Sequence, residues 1–83
     1  MLHVTGVEYR GDYRLWLRFD NGISGQVELE SELWGEMFAP LRDQGAFSDV
    51  RVDSELGTIA WANGADMAPE FLFERLQRDE VAA

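Results

Sequence analysis

The chain has no cysteine and no lysine, one histidine and two prolines in 83 residues. Without cysteine there is neither a disulfide framework nor thiol chemistry. The lone imidazole, His3, has no second histidine or cysteine with which to share a metal, so it reads as a strand-edge residue and no metal or cofactor is expected. No segment approaches the ~20 apolar residues that span a bilayer, and no basic stretch precedes an apolar run. The expectation is a cytoplasmic protein with no leader and no membrane association. Cations are also scarce: seven Lys+Arg, all of them arginine, face 16 Asp+Glu for a formal charge of −9. A phosphate backbone or an anionic membrane surface would be repelled by that field, so direct nucleic-acid binding is not expected. Neutral or basic proteins are the partners such a surface draws in, although negative charge also serves simple solubility.

Catalytic signatures are missing too. No hydroxyl sits in a G-x-S-x-G setting, no glycine string forms a phosphate-binding loop, and only His3 is available as a histidine base. Glu28, Glu30, Glu32 and Glu36 lack the order of a calcium loop and read as a solvated acidic face. No catalytic residue, no cofactor and no enzymatic activity are therefore expected.

Apolar residues make up 46% of the chain and include ten aromatics, enough for one core despite the charge. The reading is a single α+β domain over 1–83 with its ordered core over about residues 2–78. The clearest element is Tyr13–Phe19, where Tyr13, Leu15, Leu17 and Phe19 share one face and Arg14, Trp16 and Arg18 the other. Asp20-Asn21-Gly22 and the alternating Ile23–Leu29 follow. A two-residue loop would put Ile23 and Val27 on the arginine face. A three-residue loop with Gly22 in the left-handed region pairs Phe19 with Ile23, Leu17 with Gly25 and Leu15 with Val27, gathering the apolar side chains on one side. The outer face then sets Arg14 opposite Glu28 and Trp16 opposite Gln26. In the first strand, Leu2–Tyr9, Val4 and Val7 are out of phase, and a bulge at Gly6 would turn both inward. The three strands form an antiparallel meander.

Leu33, Trp34, Met37, Phe38 and Leu41 repeat at helical spacing, with Ser31 available as a cap. Gly35 and Pro40 limit this to one or two short helical turns, and Trp34, Met37 and Phe38 are expected in the core. Val50–Val52 and Thr58–Trp61 read as a second hairpin. Pro69 starts a final helix with Leu72 and Leu76 on one face, Phe73 or Phe71 beside them, and Arg75 and Arg78 toward its C-terminus. The order is β-β-β-α-β-β-α.

Two places hold candidate interaction residues. In Gly57–Glu70, Trp61 is either a core plug or, with Asn63 and Asp66, part of a recognition surface; the structural reading has Asp66 bonding turn N–H groups. Trp16 either stacks on its arginine neighbours or lies under the final helix, or else forms a hot spot with Arg14 and Arg18. The candidate surface is thus Arg14, Trp16, Arg18, Trp61, Asn63 and Asp66.

Several strings carry a family resemblance. They are Tyr13-x-Leu15-x-Leu17-x-Phe19 with Asn21-Gly22, Gly25-x-Val27-x-Leu29, Leu41-x-Asp43 with Phe47, Val50-x-Val52-Asp53, and Gly57-Thr58-Ile59-x-Trp61-x-Asn63-Gly64-Ala65-Asp66-Met67-Ala68-Pro69-Glu70. Over residues 2–76 the chain resembles a small bacterial family catalogued as domain of unknown function 2442, departing at Ala62, where members usually have proline. The resemblance implies a compact α+β domain that occurs alone or ahead of a DNA-binding helix-turn-helix, and the short stretch from Pro69 onward leads to the expectation of the stand-alone form without the helix-turn-helix. Stand-alone members are often encoded beside a second small protein in a toxin–antitoxin-like arrangement. The family brings no established catalytic residues. The expected function is a non-enzymatic interaction module, the acidic antitoxin-like half of a gene pair, binding a basic partner. The alternative is a small regulatory or ligand-binding domain using the Trp61–Asp66 turn, and a homodimer through a strand edge or the Trp16 face is a third arrangement.

Overall fold

A computed structural model describes residues 1–82. Strands β1 (Val4–Tyr9), β2 (Arg14–Phe19) and β3 (Ser24–Glu28) form an antiparallel meander in the order β1-β2-β3. The β2–β3 register pairs Leu15 with Val27 and Leu17 with Gly25. Phe19 N–H donates to the Ile23 carbonyl at 2.9 Å, and Gly22 sits at φ +87°, so the connection is the three-residue loop with a left-handed glycine. Leu15, Leu17, Phe19 and Val27 are buried on the inner face as this register requires. Ile23 keeps the expected pairing but is exposed, outside the strand itself. In β1, Val4 pairs with Phe19 and Gly6 with Arg18, leaving Thr5 as the extra residue of a bulge. That bulge brings Val4 into the core and lets Val7 pack against it.

The β1–β2 loop has three successive left-handed residues, Gly11, Asp12 and Tyr13. For an aromatic residue this backbone is strained. Tyr13 is held there by an edge-on contact with Phe47 (centroids 5.4 Å apart) and by its hydroxyl, which donates to the Arg42 carbonyl.

Beyond β3, residues 30–48 form two 3-10 turns, Glu30–Glu32 and Ala39–Arg42, and then a short helix α1 (Gln44–Ser48). The sequence reading did not anticipate α1; Asp43 caps it by accepting from Ala46 N–H at 3.0 Å. Ser31 is not a cap but lies inside the first turn, where its hydroxyl accepts from Arg75. Strands β4 (Arg51–Asp53) and β5 (Thr58–Ala60) make the second hairpin, and helix α2 (Pro69–Ala82) closes the fold. The order β-β-β, helical turns, β-β, α is the α+β arrangement read from the sequence.

The core lies between the inner face of the meander, the second hairpin and α2. Leu72 and Leu76, on the inward stripe of α2, are fully buried, and Phe73 packs edge-on against Phe19 at 5.3 Å. Each such leucine contributes about 1.5–3 kcal/mol through burial. Arg75 does not cap a C-terminus: α2 runs on past both Arg75 and Arg78 to Ala82. Among the described residues no helix is long and apolar enough to cross a membrane.

Candidate functional site

The structure separates the six residues singled out in the sequence. On the outer face of the meander, Trp16 is half-buried between its own chain's arginines, with Arg18 Cζ 5.5 Å and Arg10 Cζ 5.9 Å from the ring centroid. The stacked reading of Trp16 therefore holds, with Arg10 in place of Arg14. Arg14 turns back on the loop instead. Its Nε donates to the Gly11 carbonyl at 3.0 Å, its Nη2 to the Arg10 carbonyl at 3.1 Å, and Nη2 lies 3.6 Å from Asp12. Opposite Glu28 in register, it makes its ion pair elsewhere.

Trp61 is a core residue, 1% exposed, whose Nε1–H donates to the Phe47 carbonyl at 2.9 Å. Its ring has Phe47 on one side (5.7 Å) and Phe38 edge-on (6.3 Å), so it presents nothing to a ligand. That corrects its place in the candidate surface and rules it out as a pocket rim. Asn63, not Asp66, bonds the turn: its Oδ1 accepts from Ala65 N–H at 3.1 Å. Its Nδ2 reaches 26 residues back to donate to the Met37 carbonyl at 2.8 Å. Asp66 contributes its backbone, bridging Ala60, and leaves its side chain exposed.

The largest correction concerns residues 33–41. At helical spacing Leu33, Trp34, Met37, Phe38 and Leu41 would share one face, but Gly35 at φ +87° and Pro40 break the segment into separate turns. Leu33 and Leu41 remain buried and Phe38 is half-buried, while Trp34 is 68% and Met37 45% exposed. Phe71, on the first turn of α2, is 38% exposed. Together with Glu32, Phe38, Met67 and Ala68, Trp34 and Phe71 line an open cleft of about 370 Å³.

The cleft is braced from behind. Asn63 holds the Met37 carbonyl, Trp61 supports Phe38, and the buried Thr58 hydroxyl donates to the Met67 carbonyl. Arg42 Nε donates to the Leu33 carbonyl at 2.7 Å, tying down the residue before Trp34. Glu32 on the cleft wall pairs with Arg75 of α2 at 2.9 Å, and Arg75 also meets Asp79 at 3.3 Å. The two lining segments, residues 30–38 and 66–74, carry Glu30, Glu32, Glu36, Asp66, Glu70 and Glu74 and no cation. Apolar surface on segments with an excess of carboxylates, the lining Glu32 already paired with Arg75, is the cleft's chemical character.

Another open hollow, of about 460 Å³, lies at the start of the meander beside His3, Asp20 and Gly57. His3 Nδ1 stands 2.9 Å from Asp20 Oδ2, and His3 N–H donates to Asp20 Oδ1 at 3.1 Å. The backbone bond first, and the ring second, hold the Asp20 carboxyl below its usual pKa of 3.8. Among the described residues no three His, Asp or Glu side chains converge as a metal site.

The family model for proteins of unknown function (DUF2442) matches residues 4–78. No curated protein and no solved structure matches the chain. Over nearly its whole length, then, the meander, the second hairpin and the helix that closes the cleft are those of a member of the DUF2442 family of proteins of unknown function.

Proposed function

We propose that this protein is a non-enzymatic interaction module of the bacterial cytoplasm that binds a basic partner protein through the Trp34–Phe71 cleft. The supporting observation is the combination of large exposed apolar side chains with six carboxylates and no cation on the same two segments. Aromatic anchors bury well at protein interfaces, and a surrounding field of one sign selects and steers a partner of the other. The outer sheet face, by contrast, has its tryptophan and arginines already engaged with one another and with the loop.

The gene arrangement that the family resemblance implies supports reading the module as the antitoxin-like half of a gene pair. Such a module acts by masking the basic surface of its partner. Co-expression with the neighbouring gene product, followed by size-exclusion chromatography, tests it. A common peak at low salt that weakens as salt rises is the expected result, and separate elution at low salt overturns it. A thermal-shift screen in parallel addresses the regulatory-domain alternative. A small molecule that raises the melting temperature with concentration, in a protein that elutes apart from its neighbour, would favour that reading.

A further inference from the structure

Two tryptophans of this chain meet cations in opposite ways. Trp16 carries the guanidinium groups of Arg10 and Arg18 over its ring. Trp34 is more than two-thirds exposed, and among the described residues no guanidinium lies over it. Yet the segments that line its cleft carry six carboxylates and no cation, and one of them, Glu32, lines the cleft itself. Trp34, Phe38 and Phe71 contribute three aromatic rings to one cleft, with Glu32 on its wall. Glu32 meets Arg75 through Oε2, and no described residue bonds its other oxygen. At about 370 Å³ the cleft is large enough to take one long side chain.

We infer that the cleft is a receptor for a single arginine side chain of the basic partner, its guanidinium laid on Trp34 and directed to Glu32. The inference rests on the cleft being the partner-binding site. Arginine fits better than lysine because its planar, weakly hydrated head stacks on an aromatic face while its stem packs against apolar walls, here Met67 and Ala68. A ring cation attraction of this kind strengthens where water is excluded, as the flanking Phe38 and Phe71 would ensure.

The chain supplies its own reporters. Three indole N–H signals are expected in a ¹⁵N-correlated NMR spectrum of the intact protein. Trp34 is assigned from the signal lost in Trp34→Phe. The probes are the blocked peptide acetyl-Leu-Arg-Leu-amide and its citrulline counterpart, which is neutral and nearly isosteric. The arginine peptide should shift Trp34 saturably and leave the buried Trp61 signal in place, with the citrulline peptide roughly three- to tenfold weaker. In Trp34→Ala the Arg peptide should lose its effect on neighbouring backbone signals, while an unmoved Trp61 signal shows that the fold persists. Equal shifts from both peptides overturn the arginine inference and leave an apolar docking cleft. Shifts confined to Trp16, or none from either peptide, overturn it as well. If the partner complex forms undiminished with Trp34→Ala, the underlying cleft reading fails instead.

Discussion

Arg75 Nη1 lies 2.9 Å from Glu32 Oε2, so one ion pair ties α2 to the first 3-10 turn at the wall of the cleft. The Arg75 side chain is only 12% exposed, and its other nitrogens reach Asp79 and Ser31. Its removal would leave Glu32 and Asp79 facing each other without a cation. Arg75→Ala should cost about 1–2 kcal/mol in urea unfolding, and Arg75→Lys should recover only part, because an ammonium cannot span all three acceptors.

Trp61, a candidate surface residue that is buried, and Trp34, an expected core residue that is exposed, should respond very differently to truncation. Trp61→Phe removes the donor to the Phe47 carbonyl and opens space in the core, a loss of about 2–4 kcal/mol. Trp34→Ala should stay within about 0.5 kcal/mol of wild type, because its ring is largely in solvent. Chemical denaturation of the two variants checks both figures. A large loss in Trp34→Ala would return that ring to the core.

Gly57 combines φ +71° with a close neighbour, since an added Cβ would stand 2.2 Å from His3 Cδ2. Gly57→Ala should therefore destabilise by about 2–3 kcal/mol, more than Gly64→Ala, where φ is +91° but the nearest atom, Met37 Cε, stands 3.7 Å off. A double-mutant cycle with His3→Ala separates the two causes. The steric part should vanish in the His3→Ala background, while the backbone part persists.

Asp20 gives the pH dependence a sign. Its folded-state pKa is lowered, so its contribution is fully present above the ordinary aspartate value of 3.8 and is lost as pH falls through the lower folded value. Stability measured from pH 5 downward should drop less steeply in Asp20→Asn than in wild type. Identical slopes in that window would show that the His3 backbone bond does not hold the carboxylate in solution.

Period-2 patterns were legible because strand pairing gives them a sharp penalty for error. Moving β3 by one residue would expose Val27, so the register and the Gly22 loop followed from the alternation alone. Pro69 marked the start of α2 for a similarly local reason. The cleft was not legible. Helical spacing in residues 33–41 identified side chains that could share a face, but Gly35 and Pro40 decided that they do not, and nothing local says which apolar residues then face out. Its opposite wall lies some thirty residues away on α2. Asn63 shows the same limit: it takes the turn bond that the sequence reading gave to Asp66, and its bond to the Met37 carbonyl depends on the fold having brought two loops together.

The central claim is that the cleft, and not the arginine face of the meander, binds a basic partner. Titration calorimetry of the intact protein against its neighbouring gene product tests this most directly, comparing wild type with Trp34→Ala/Phe71→Ala and with Arg18→Ala. The account predicts on the order of 30-fold weaker binding for the cleft variant and a change within about twofold for Arg18→Ala. Undiminished binding by the cleft variant, or a larger loss in Arg18→Ala, would contradict it.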